Sequence, residues 1–204
     1  SVGLYRFLEN KGKKNLTIIY PNEYPQNLSF LFEGVNHIIS SNGLLNAKQI
    51  IQQAQLLIFM DLNRISRTSE ELESILRELS TPKILIDHHM DPEEFDLSFS
   101  DSQASSTAEL TYKIIKQIDS SKIDVKIGQA LYTGLCTDTG SFSYSCSRKD
   151  CFEVAGELVE LGVEDFSTYL SVFSMANLIE IKAVHKTLIK EVGQEMADKL
   201  IRMP

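Results

Sequence analysis

The hydrophobic positions of this chain follow two periods in alternation. Short apolar runs of strand length occur at Leu16-Thr17-Ile18-Ile19-Tyr20, Val35-Asn36-His37-Ile38-Ile39, Gln55-Leu56-Leu57-Ile58-Phe59-Met60 and Lys83-Ile84-Leu85-Ile86. Segments with helical spacing lie between them. Val2, Leu4, Tyr5, Phe7 and Leu8 form the first, which should stop at Lys11-Gly12, a basic residue followed by a glycine. Ala47 to Ala54 reads as a second helix. Ser69-Glu70-Glu71-Leu72-Glu73 opens a third, its acidic first turn complementing the helix dipole, and Thr81-Pro82 breaks it near Leu79.

Strands alternating with helices in this way predict an α/β fold, a doubly wound, mainly parallel sheet with helices on both faces and right-handed crossovers. The second half of the chain reads differently. Ser106-Thr107-Ala108-Glu109 fits a capping box ahead of Leu110, Ile114, Ile115 and Ile118, so a helix whose free N–H groups can hold an anion should begin there. From Ile123 onward the pattern is helical. Val154, Leu158, Val159 and Leu161 make one apolar face that stops at Gly162, and Ile181, Val184, Leu188, Ile189 and Val192 make another. One domain is expected over residues 1–175, followed by a helical C-terminal segment, 176–204, leading towards a further domain.

The residues able to do chemistry lie where the apolar runs end. Lys83-Ile84-Leu85-Ile86 closes on Asp87-His88-His89, the run to Met60 closes on Asp61, and Ala130-Leu131-Tyr132-Thr133-Gly134-Leu135 leads into Thr137-Asp138-Thr139-Gly140. Open parallel sheets bind ligands beyond the carboxyl ends of their strands, so these clusters point to one site assembled from separate elements. Carboxylate plus imidazole is a ligand set for manganese, iron or zinc, and Asp61, His88 and Asp138 are the candidate ligands. Successive strand residues face opposite ways, so His88 should diverge from Asp87 and His89 if extended geometry persists. One histidine would then ligate, and the other would contact a phosphate oxygen or shuttle a proton. Ser105, Ser106 and Thr107, at the expected helix start, and Asn63, after Asp61, are candidate substrate contacts, although capping and turn formation explain them equally.

Composition narrows the partners. The 204 residues are 43% hydrophobic, enough for a full core, and no apolar run reaches the length of a membrane span. A formal charge of -8 opposes a long cationic groove for duplex DNA, so a polyanion would be received locally, through bound divalent cations. Cys136, Cys146 and Cys151 lack the spacing of a zinc knuckle or a disulfide framework, which fits a cytoplasmic protein. Cys136 reads as a packed side chain, and His37 and His185 as structural or solvated.

At Asp87-His88-His89 the chain resembles the DHH phosphoesterases, which are named for that triplet. The likeness also takes in Asp61, Ala104-Ser105-Ser106-Thr107-Ala108-Glu109-Leu110 and Gly134-Leu135-Cys136-Thr137-Asp138-Thr139-Gly140-Ser141-Phe142, and so covers most of the chain. It implies hydrolysis of short oligoribonucleotides or phosphoadenosine phosphate by a hydroxide activated between two metals roughly 3.5–4 Å apart. Two manganese ions are implied, with magnesium or another divalent ion as substitutes. By the same likeness Asp61 bridges both ions, His88 and Asp138 complete one of them, His89 faces the scissile phosphate and Asp87 supports the histidines.

The subgroup most resembled is the oligoribonuclease and phosphoadenosine-phosphate phosphatase type, related to exopolyphosphatases; a homodimer is left open. Family members carry a His-x-x-x-Asp-x-Asp element directly before a helix like Ser1 to Lys11, and a second domain with a glycine-rich substrate motif. Neither lies within this sequence, and the first is expected in the parent protein. Two other functions fit the same residues: a pyrophosphatase or exopolyphosphatase, and a non-catalytic nucleotide-binding module that has lost the upstream element.

Overall fold

A computed structural model describes residues 1–144 and 147–163. Its elements run α1 (Val2–Asn10), β1 (Ile18–Tyr20), β2 (His37–Ile39), α2 (Ser40–Gln53), β3 (Leu57–Met60), α3 (Glu70–Glu78), β4 (Lys83–Asp87), β5 (Leu97–Ser100), α4 (Thr107–Asp119), α5 (Val125–Thr139) and α6 (Lys149–Glu160). Every strand pairing among the described residues is parallel: β1 with β2, and β3 and β5 on either side of β4.

The layering follows from side-chain alternation along the strands. Register pairs Phe59 with Leu85 and Met60 with Ile86, so residues of like parity share a face. Leu57, Phe59 and Leu85 pack with Ala47 and Ile51 of α2 and Leu72 and Leu76 of α3. Met60, Ile84 and Ile86 instead pack with Phe7 of α1, Ile115 of α4, Leu131 and Leu135 of α5 and Leu158 of α6. Helices therefore cover both faces, as the alternation of elements predicts. The shorter sheet keeps the same arrangement, with Ile19 and Ile38 on the α2–α3 side and Ile18 and Tyr20 on the α1 side.

Two elements differ from the sequence reading. Helix α2 begins at Ser40 rather than Ala47 and is kinked at Gly43; Ser41, Asn42 and Gly43 are poor helix formers, and they hide the first turn. Strand β5 is absent from the sequence reading; Leu97-Ser98-Phe99-Ser100 alternates as a strand does but over only four residues, all exposed, and backbone pairing with β4 holds it. Asp138 lies in the last turn of α5, in keeping with the helical pattern from Ile123 onward, whereas Asp61 and Asp87 stand at strand ends. His37 is structural: its ring sits between the Tyr24 hydroxyl, 3.2 Å from Nε2, and the Val35 carbonyl, 2.9 Å from Nδ1. The helix expected over residues 178–200, the boundary at 175/176, His185 and Cys146 lie outside the described residues. No helix among the described residues is long and apolar enough to cross a membrane.

Candidate metal centre

Strands β3 and β4 bring the first two groups together. Asp61 follows β3 with φ 62°, in the left-handed region that aspartate tolerates better than most residues, and its N–H still donates to the Ile86 carbonyl. Strand β4 ends at Asp87, whose side chain is fully buried. There the chain leaves extended geometry: the His89 N–H donates to Asp87 Oδ2 at 3.0 Å, and His89 Nδ1–H donates to Oδ1 at 2.9 Å. This local loop turns both imidazoles the same way. Their ring centroids lie 4.8 Å apart, and both rings approach Asp61, so the divergence expected for a continuing strand does not occur.

The two histidines have distinct partners. Buried Asp87 spends both oxygens on His89, fixing that ring against the strand end. His88 Nδ1 lies 3.3 Å from the Ala104 carbonyl, which only accepts, so Nδ1 carries the proton of the neutral ring and Nε2 presents a lone pair. That lone pair faces Asp61 Oδ1 at 3.6 Å and Asp138 Oδ2 at 3.9 Å. These separations are too long for hydrogen bonds, and the three atoms are acceptors when the ring is neutral.

Convergent acceptors of this kind repel one another unless a cation lies among them. Asp61, His88 and His89 can each offer one ligand atom with all three within 4.8 Å, so the residues present fit a divalent metal. Asp138 stands beside this triad. Burial, reinforced by the charge of Asp61, pushes its carboxyl up to about 6, although His88 and His89 partly offset the shift.

Helix α4 supports the site from below. Ser106 caps it by accepting the Glu109 N–H at 3.1 Å, and the Thr107 hydroxyl donates to Asp61 Oδ1 at 2.8 Å. Ser105 and Ser106 are almost fully buried, and the Ser105 hydroxyl donates to Glu109 Oε2. Asn63 ties its loop to the next one, donating from Nδ2 to the Met90 carbonyl at 2.8 Å. Sequence reasoning brought out Asp61, Asp87, His88, His89, Asp138 and Thr107, and the fold gathers them. It did not single out the Ala104 carbonyl, since a backbone group carries no residue-type signal.

Helix α5 delivers Asp138 through close packing. A Cβ on Gly134 would stand 2.7 Å from the Ala108 Cβ of α4, so glycine is what lets α5 approach the N-terminal half of α4. Gly140, with φ 56°, then ends α5 in a left-handed cap just beyond Asp138.

Residues 1–135 match the DHH family, N-terminal domain. The bifunctional oligoribonuclease and PAP phosphatase NrnA of Bacillus subtilis is 31% identical over 78 residues, 37% of this chain and 25% of that protein. The NrnA protein of Streptococcus mutans is 36% identical over 78 residues, 38% of this chain and 25% of its own length. The match thus spans about a quarter of the length of these relatives. The crystal structure of an exopolyphosphatase-related protein from Bacteroides fragilis has the same fold, with a TM-score of 0.82 and 28% identity, covering 90% of this chain and 55% of that one.

Proposed function

The chain belongs to the DHH family, a family of phosphoesterases, and on that premise we propose that it forms the metal-binding part of a manganese-dependent enzyme that hydrolyses short oligoribonucleotides or phosphoadenosine phosphate. The observation that carries this reading is the convergence of the His88 Nε2 lone pair with the carboxylates of Asp61 and Asp138. Two carboxylates facing an imidazole lone pair are suited to a cation, and the chain's formal charge of -8 gives a phosphate little other attraction.

Asp61, His88 and Asp138 would hold the metal, with His89 in reach as a further donor. A divalent cation supplies Lewis acidity towards phosphoryl oxygens and makes water a better nucleophile at neutral pH. The chain's own residues prepare the rest. Asp87 holds His89 with its Nδ1–H engaged, so Nε2, when it carries a proton, would donate it to a phosphate oxygen or to the leaving oxygen. Thr107 orients Asp61, and Ala104 orients His88. Ser106 and Thr107 at the start of α4 and Asn63 on the loop leaving Asp61 would be the substrate contacts, while the Ser105 N–H and hydroxyl are already taken by Glu109.

Ser1 supports a further part of the reading. Its nitrogen, where α1 begins, is close enough to Asp61 and Asp138 to feel both charges, so a segment leading into α1 would pass beside this cluster. The other expectations, a domain ending near residue 175 and a cytoplasmic location, belong to the same proposal.

The test is hydrolysis by the full-length protein, with manganese, of a diribonucleotide, phosphoadenosine phosphate and pyrophosphate side by side. Release of mononucleotide or AMP is expected. Release of phosphate from pyrophosphate alone would assign the site to the pyrophosphatase or exopolyphosphatase branch, and binding without turnover would assign it to a nucleotide-binding module.

A further inference from the structure

We propose that Glu109 is a positioning residue for this centre: by pinning Ser105 it holds the 104–107 turn, which sets His88 with one end and Asp61 with the other. The proposal rests on reading the cluster as a metal site, and it concerns a residue that touches neither a ligand nor the phosphate position.

Glu109 stands at the third position of α4, where a capping-box glutamate ordinarily reaches back to the N–H of the capping residue. Here the cap is Ser106, but the carboxylate reaches one residue farther. Oε2 accepts both the Ser105 N–H at 2.9 Å and the Ser105 hydroxyl at 2.6 Å. Capping of α4 does not need this second pair of bonds, because Ser106 already satisfies the Glu109 N–H.

The carboxylate is only 2% exposed, so its charge requires a partner. Lys113 supplies one, its ammonium lying 2.6 Å from Oε1 and 2.8 Å from Asp150 Oδ2 on α6. Glu109 is thereby fixed from behind as well as in front.

What this anchor secures is adjacent on both sides. Ala104, just before Ser105, offers the carbonyl that accepts from His88 Nδ1 at 3.3 Å. Thr107, two residues after it, donates to Asp61 at 2.8 Å. One buried carboxylate therefore fixes the stretch of backbone that sets the protonated nitrogen of His88 and the facing oxygen of Asp61. Partners of ligands in this position commonly change metal affinity or activity by about 10–100-fold when removed.

The test compares full-length wild type with Glu109→Gln, which keeps the shape of the side chain but loses its charge. The readouts are the imidazole nitrogen signals of His88 in metal-free protein and calorimetric titration with manganese, with the melting temperature measured alongside. In wild type His88 should show a single Nδ1–H tautomer. In Glu109→Gln that signature should become mixed, and manganese affinity should fall by about tenfold or more. If Glu109→Gln does not fold, Ser105→Ala removes one of the two bonds and should shift both readouts in the same direction by less. An unchanged His88 signature with unchanged affinity, whatever the loss of melting temperature, would overturn the proposal. If wild type binds no divalent ion while the His88 signature still changes in the variant, positioning stands and the phosphoesterase reading falls.

Discussion

The Thr107 hydroxyl donates to Asp61 Oδ1 across 2.8 Å and so ties the first turn of α4 to the aspartate that ends β3. Thr107→Val keeps the shape and deletes the donor. Manganese affinity should fall by about tenfold, the low end for an orienting partner of a ligand. Stability in urea should fall by only about 1 kcal/mol, the net worth of an ordinary hydrogen bond. Equal affinity in the two proteins would remove Thr107 from the site.

His88 and His89 should separate in their effects. His88→Ala takes away the nitrogen that faces both Asp61 and Asp138, so metal and turnover should be lost together. His89→Ala leaves that nitrogen in place, and the protein should retain metal while losing turnover. Calorimetry and hydrolysis on the same preparations distinguish the two; activity in both variants would contradict the assignment.

Close helix packing should prove necessary for Asp138. Gly134→Ala places two Cβ atoms 2.7 Å apart, which forces α5 away from α4. The expected cost is about 1–3 kcal/mol of stability, the usual range for overpacking, with weaker manganese binding. Adding Ala108→Gly removes the colliding methyl group and should restore binding. Failure of that double variant to recover would show that the helix spacing does not set the ligand.

The raised carboxyl of Asp138 predicts opposite pH trends without and with metal. Its ordinary value is 3.8, and burial together with Asp61 pushes it to about 6. Between those values the folded protein holds a proton that the unfolded chain has released, so its contribution to stability falls as pH rises through the window. Denaturant titrations in chelator should register that fall. Cation binding displaces the proton, so manganese affinity should instead rise with pH through this window. An affinity flat from pH 4 to pH 7 would exclude Asp138 as a ligand.

The sequence made Asp61, Asp87 and His88 legible because each lies where an apolar run stops, and a parallel sheet collects such ends along one edge. The convergence of His88 and His89 was hidden, because it depends on Asp87 folding back onto His89 rather than on strand alternation. Glu109 was visible as a capping residue, but its reach to Ser105 is a matter of side-chain placement that the pattern S-T-A-E does not encode. Strand β5 was legible only as the four-residue alternation Leu97-Ser98-Phe99-Ser100, a short signal that the reading passed over. Helices on both faces of the sheet were predictable from the alternation of elements, whereas which of Phe59, Met60, Leu85 and Ile86 faces which layer follows from the register of β3 and β4.

The most direct test is release of mononucleotide from a diribonucleotide by the full-length protein and its His88→Ala variant, with manganese and after chelation. Release by wild type that needs manganese, stops in chelator and is absent from His88→Ala is the predicted result. No release by wild type, or release that survives either chelation or loss of His88, would contradict the assignment of this cluster as a metal-dependent nucleotide phosphoesterase centre.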